Sequence, residues 1–212
     1  MNKKKRVEEI IKVFKKIYND ARCTLNYEDP LQLLVATQLA AQCTDARVNI
    51  VTETLFKKYK NALDFANADL EELERDLMST GLYRNKARNI KQACRIIIDK
   101  FNGQVPDNME DLLTLPGVGR KTANLVLGEV FGIPGIVVDT HAKRLSNRIG
   151  LSSSNDPKKV EFDLMAVVPK ENWTEFCHQL VYHGRAVCTA RKPQCNKCSI
   201  IDYCDFGRKF LE

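Results

Sequence analysis

The chain has 212 residues, 44% of them hydrophobic, which is enough to bury a sizeable core and too apolar for a disordered polymer. Its 33 basic and 27 acidic residues leave a formal net charge of +6, which fits a polyanionic partner without establishing one. No stretch is long and apolar enough to span a bilayer, and no apolar run follows the basic start MNKKKRVEEI, so a cytoplasmic protein is expected.

In chain order, Val7, Ile10, Ile11, Phe14, Ile17 and Tyr18 recur at helical spacing and predict an amphipathic first helix packed on the body. Asp29-Pro30 reads as an N-cap with proline at the first helical position. Thr44 or Asp45 can cap the next helix, which carries Val48, Val51, Leu55 and Phe56. Asp69 and Glu72 have capping-box spacing before LEELERDLM, and Gly81 suits a helix terminus. From Tyr83 to Phe101 a single stripe of Ala87, Ile90, Cys94, Ile97, Ile98 and Phe101 makes Cys94 a core thiol.

Asn108 opens a short helix that ends at Pro116-Gly117. The following helix begins at Gly119, carries Ala123, Val126, Leu127, Val130 and Phe131 on one face, and stops at Gly132 and Pro134. Ile136–Val138 is β-branched and is the one strand candidate. Asp139 caps a helix from Thr140; Asp156-Pro157 and the segment from Trp173 to Gly184 supply two more. The pattern predicts an all-α chain with a cysteine-rich tail of no clear periodicity.

The stretch LPGVGRKTANLVLG, residues 115–128, bears on function. Gly117, Val118 and Gly119 join two helices, and glycine lets a backbone approach a ligand with no Cβ in the way. Amides at the start of the second helix, with the helix dipole, form a phosphate site; a plain helix–helix turn is the simpler reading. Lys121 lies opposite the apolar stripe of its helix, so it faces away from the core. There, with Arg120 beside it, the positive end of the helix dipole favours a neutral amine, the form that carries out Schiff-base chemistry. Asp139, in VDTH, is a natural helix cap, a role compatible with a carboxylate fixed at a reaction centre.

The cysteines divide into Cys23, Cys43, Cys94 and Cys177, which stand alone, and a tail group spaced Cys188-x6-Cys195-x2-Cys198-x5-Cys204. The tail spacing favours a metal centre over disulfides, and four thiolates suit either zinc or an iron–sulfur cube. Arg185, Arg191, Lys192 and Lys197 sit among these cysteines and suit phosphate contacts or a solvated charge run equally well. His141, His178 and His183 are too scattered to form a ligand pattern.

LPGVGRKTA, VDTH and the four-cysteine tail, in that order, resemble the endonuclease III family of DNA base-excision repair glycosylases. The likeness runs from about PLQLLVATQLAAQCTD (residues 30–45) to Cys204. It implies a two-domain helix-hairpin-helix fold in which a cleft separates residues 22–133, a six-helix domain, from a discontinuous domain of residues 1–21 and 134–212. It also implies a [4Fe-4S] cluster on Cys188, Cys195, Cys198 and Cys204. By the same resemblance Lys121 is the catalytic lysine and Asp139 the catalytic carboxylate, while Gly117 to Arg120 bind DNA. Gln42, in AAQCTD, fills the gap left by an extruded base, and Leu82, in TGLYRNKA, is a wedge on the other side. Without the resemblance, Leu82 reads as a buried helix-end leucine and Gln42 as a surface polar residue.

The implied protein is a monomeric glycosylase and abasic-site lyase acting on oxidised pyrimidines in double-stranded DNA at the nucleoid. Two alternatives are an adenine-specific mismatch glycosylase, which has a non-lysine residue at the position of Lys121, and a non-catalytic DNA-binding iron–sulfur protein, which needs neither Lys121 nor Asp139.

Overall fold

The computed structural model describes residues 2–211. In chain order its α-helices are α1 (Lys3–Ile17), α2 (Pro30–Leu39), α3 (Asp45–Lys58), α4 (Ala62–Asn67), α5 (Leu70–Leu77) and α6 (Tyr83–Phe101). They continue with α7 (Met109–Leu112), α8 (Arg120–Val130), α9 (Thr140–Ile149), α10 (Pro157–Met165), α11 (Trp173–Ala186) and α12 (Asp205–Leu211). No strand occurs among the described residues. Ile136–Val138, the strand candidate, is buried coil instead. It has no second strand to pair with, and the Val137 N–H donates to the Cys177 Sγ at 3.2 Å. The chain forms two compact units, one of Met1–Cys23 with Ile133–Glu212 and one contiguous, Thr24–Gly132. Residues 1 and 212, the outer limits of the discontinuous domain implied by the sequence, lie outside the described residues.

In the contiguous unit, short polar side chains start the helices. Asp29 accepts from the Gln32 N–H at 2.8 Å, Thr44 from Arg47 at 3.3 Å and Asp69 from Glu72 at 2.9 Å. Glu72 uses its carboxylate not on the cap but on Lys58, at 2.8 Å, joining α3 to α5. Helix α2 is buried at every position from Leu33 to Leu39, which places it at the centre of this unit. Helix α6 runs over the residues its stripe predicts and buries Ala87, Ile90, Cys94 and Ile97. Helix α4 has no counterpart among the sequence expectations, although Asn61 caps it on the Asp64 N–H at 3.0 Å. At six residues it is too short for a visible periodicity.

In the discontinuous unit, α1 buries Val7, Ile10, Ile11 and Phe14. Phe14 lies 6.2 Å from Phe176 and 5.0 Å from His183 on α11, ring centre to ring centre. Ile17, placed on the stripe by spacing, is 47% exposed because the helix ends there and Phe14 already fills the contact. Tyr18, just past the helix, turns back so that its hydroxyl meets His183 Nδ1 at 2.9 Å.

Cys94 and Cys177 are buried, and burial pushes both thiols up to about 12; Cys23 and Cys43 are half-exposed. A thiol reacts as its thiolate. Iodoacetamide at pH 8 should therefore label Cys23 and Cys43 in the folded protein and spare Cys94 and Cys177. Mass spectrometry of the digested protein reads the outcome, and early labelling of Cys94 would contradict the core placement.

Candidate functional site

Two glycines of the hairpin between α7 and α8 do different work. Gly117 has φ of 78°, and a Cβ there would come within 2.9 Å of Gln38 Oε1 and 3.1 Å of Asn89. Gln38 is on α2 and Asn89 on α6, so the hairpin is seated against both helices. Gly119 has neither constraint: its φ is −104°, and an added Cβ would meet nothing within 4 Å. Its missing side chain leaves the backbone open to an external ligand. Between the two, Val118 is buried and its N–H closes the turn on the Leu115 carbonyl at 3.1 Å.

Helix α8 starts at once, with Gly119 as N-cap and no side-chain capping bond. An anion would find amide donors and the positive end of the helix dipole there. The helix buries Thr122 through Leu127, nearly its whole circumference, yet Lys121 is exposed and Arg120 half-exposed.

Gln42 and Leu82 share a property that residue type does not suggest. Among the described residues, the non-glycine positions with positive φ are Gln42 (55°), Leu82 (51°) and Asn102 (52°). Left-handed backbone is costly for a side chain with a Cβ and collects at functional sites. Leu82 is 53% exposed, which corrects the reading of it as a buried leucine: the left-handed turn throws it outward. Gln42 is exposed, in the turn that follows α2.

Lys86 was not singled out from the sequence. It is 5% exposed, and its ammonium donates to the carbonyls of Leu39 and Thr80, each at 2.8 Å. The signal was present: Lys86 lies on the apolar stripe of α6, four residues before Ile90.

In the discontinuous unit, Asp139 is the N-cap of α9, its Oδ1 accepting from the Ala142 N–H at 2.7 Å. The carboxylate is half-buried and so fixed in direction. His141 is held below its usual range by burial first, with Arg144 and Arg185 acting in the same sense and Asp139 opposing. Lys121 and Asp139 thus belong to different units.

Cys188, Cys195, Cys198 and Cys204 are free thiols that line one pocket, its walls including Leu145, Ile149, Ile200 and Phe206. No group of three or more His, Cys, Asp or Glu among the described residues converges closely enough for a single metal ion. Four thiols lining one largely apolar pocket are the donor set that an iron–sulfur cluster takes.

The surroundings suit anionic sulfur. Arg148 Nη1 lies 3.2 Å from Cys188 Sγ, and the Gly207 N–H points at Cys204 Sγ at 3.3 Å. Burial pushes the Cys198 thiol up to about 11 and raises those of Cys195 and Cys204, so without a metal these sulfurs hold their protons. Arg144 and Arg148 of α9 also bind the carbonyls of Cys188, Thr189 and Ala190 at 2.8–2.9 Å, tying the loop to the helix that Asp139 caps. Arg185, Arg191, Lys192 and Lys197 are all exposed. His183 is a buried core histidine, as its isolation in the sequence suggests, and burial draws it down to about 4.

Comparison with known proteins gives a consistent result. Residues 35–170 match the family described as HhH-GPD superfamily base excision DNA repair protein, and residues 188–204 match the iron-sulfur binding domain of endonuclease III. The chain is 53% identical to endonuclease III of Synechocystis sp. over 204 residues, covering 96% of this chain and 93% of that protein. It is 45% identical to endonuclease III of Bacillus subtilis, covering 97% and 94%. A solved structure described as a trapped endonuclease III–DNA covalent intermediate superposes with a TM-score of 0.94 at 45% identity, covering 100% of both chains. The cysteine-rich terminus accordingly carries a [4Fe-4S] cluster. With its all-α fold, its hairpin and its cysteine cavity, the chain belongs to the endonuclease III family of base-excision DNA repair proteins.

Proposed function

We propose that this protein is a bifunctional DNA N-glycosylase and abasic-site lyase that removes oxidised pyrimidines from double-stranded DNA, with Lys121 as nucleophile and Asp139 as assisting carboxylate. One observation carries the reading: an exposed lysine in the first turn of a helix whose next six residues are buried, directly after a hairpin whose second glycine is bare toward solvent. The two compact units are then the two domains of such a glycosylase, acting as a monomer on chromosomal DNA in the cytoplasm.

The hairpin amides bind a phosphate near the lesion and hold the lysine in register with the sugar. The damaged base leaves the stack. Gln42 fills the gap it vacates and Leu82 wedges the other side. The Lys121 amine attacks C1′ as the bond from C1′ to the base breaks; the base departs with the electron pair and takes up a proton. Asp139 accepts the proton shed by the amine and offsets positive charge on the sugar. Opening of the sugar ring gives an imine, which acidifies the C2′ hydrogen. Loss of that proton expels the 3′ phosphate and cuts the strand; water then releases the lysine. A class of adenine-specific enzymes without this lysine is disfavoured for the same reason.

Cys188, Cys195, Cys198 and Cys204, which line one pocket, would hold the [4Fe-4S] cluster. When bound, the cluster would give the loop a centre to fold around, and the exposed Arg185, Arg191, Lys192 and Lys197 would be available to phosphates. The lysine chemistry itself needs no electron.

Lys121→Gln should abolish the borohydride-trappable complex with damaged DNA and leave duplex affinity largely intact; adduct formation at the normal rate would remove Lys121 as nucleophile. Asp139→Asn should slow base removal by roughly two or more orders of magnitude, and because asparagine is an equally good N-cap it should cost less than about 0.5 kcal/mol of stability. Near-normal turnover would leave Asp139 a helix cap and nothing more.

Protein purified without oxygen should contain about four iron and four acid-labile sulfide per chain. Cys198→Ala should lose both and bind duplex DNA more weakly, with a shallower dependence on salt as phosphate contacts are lost. Stoichiometric zinc without sulfide would overturn the ligand assignment.

A further inference from the structure

The left-handed turns at Gln42 and Leu82 need something to hold them, since each carries a side chain in a conformation its backbone disfavours. Both turns end on the same residue. Leu39, whose carbonyl Lys86 binds at 2.8 Å, is the last residue of α2, and the turn carrying Gln42 follows directly. Thr80, bound at 2.8 Å by the same ammonium, lies two residues before Leu82.

The main chain adds a third tie, because the Lys86 N–H donates to the Leu82 carbonyl at 3.1 Å. One residue therefore grips the Leu82 turn from both sides and the Gln42 turn from its helix end. Lys86 meets carbonyl oxygens rather than a carboxylate, an arrangement that fixes two backbones instead of balancing a charge. Burial lowers its pKa, with Cys43 acting in the opposite sense, so the side chain sits where desolvation is costly. A methionine or leucine would fill the same stripe position without that cost, but it would release both loops.

We propose that Lys86 is a positioning residue for the repair reaction, its ammonium clamping together the loops that present Gln42 and Leu82 to the duplex. The inference rests on the reading above that those two side chains occupy the space around an extruded nucleotide. An abasic site in single-stranded DNA needs no such support, and the contrast between the two substrates separates positioning from mere stability.

Single-turnover cleavage of an abasic site is measured in duplex and in single-stranded form, for the native protein, Lys86→Met, Gln42→Ala/Leu82→Ala and the triple variant, at a temperature where circular dichroism shows each folded. Lys86→Met should lower the duplex rate roughly tenfold or more and keep the single-strand rate within about twofold. Added to the Gln42→Ala/Leu82→Ala background, it should change the duplex rate by less than about twofold, because it acts through those residues. If Lys86→Met does not fold, Lys86→Gln, whose shorter amide does not span both carbonyls, is judged by the same criteria. A native duplex-to-single-strand ratio in the folded Lys86 variant, or equal losses on both substrates, overturns the role of Lys86. An unchanged ratio in Gln42→Ala/Leu82→Ala instead overturns the reading of those two side chains.

Discussion

A Cβ at Gly117 would crowd two side chains, and the seat of the hairpin depends on that close approach. With Gln38 Oε1 at 2.9 Å and Asn89 at 3.1 Å from where a Cβ would stand, the hairpin closes down onto α2 and α6. A residue with a Cβ would have to displace the Gln38 and Asn89 side chains and would also resist the positive φ of the turn. The seat fixes where α8 begins and, with it, where Lys121 points. The helices that provide the seat are the ones whose ends bear Gln42 and Leu82. A shift at Gly117 would therefore be felt at three places that the proposed chemistry uses together.

Each unit holds the group proposed to react at a helix terminus rather than on a flexible loop. Lys121 stands in the first turn of α8, and Asp139 caps α9 with a 2.7 Å bond. Such placements cost little entropy on ligand binding because the backbone is already fixed. The same helix α9 reaches the cysteine loop through Arg144 and Arg148, so the carboxylate and the cluster loop share a rigid support.

Much of this was legible in the residues. Asp29, Asp69, Asp139 and Asp156 all cap helices at the positions their spacing predicts, because capping depends on a few adjacent residues. The stripe of α6 is long enough to locate the helix and to bury Cys94. What failed depended on partners far along the chain or on local dihedrals. Ile136–Val138 has the composition of a strand, but a strand needs a neighbour, and the fold supplies Cys177 instead. The outward turn of Leu82 follows from a φ of 51°, which no apolar periodicity encodes. Lys86 broke an apolar pattern visibly, yet its meaning required knowing that Leu39 and Thr80 converge on it. The proposed site residues rest on short motifs in a fixed order, a kind of information distinct from periodicity.

The discontinuity of one unit sets an order of assembly during synthesis. Thr24–Gly132 is a single uninterrupted segment, so all of its internal contacts are available by the time Gly132 is added. Helix α1 is made earlier but waits longer: Tyr18 and its partner His183 are 165 residues apart. Until α11 leaves the ribosome, Val7, Ile10, Ile11 and Phe14 have no α11 surface to cover them, a vulnerable state for a nascent chain. His183, which meets the Tyr18 hydroxyl at Nδ1, lies with its Nε2 3.5 Å from Cys198 Sγ. His183 thus joins the end of the first helix to the cysteine loop, and both contacts wait for the last third of the chain.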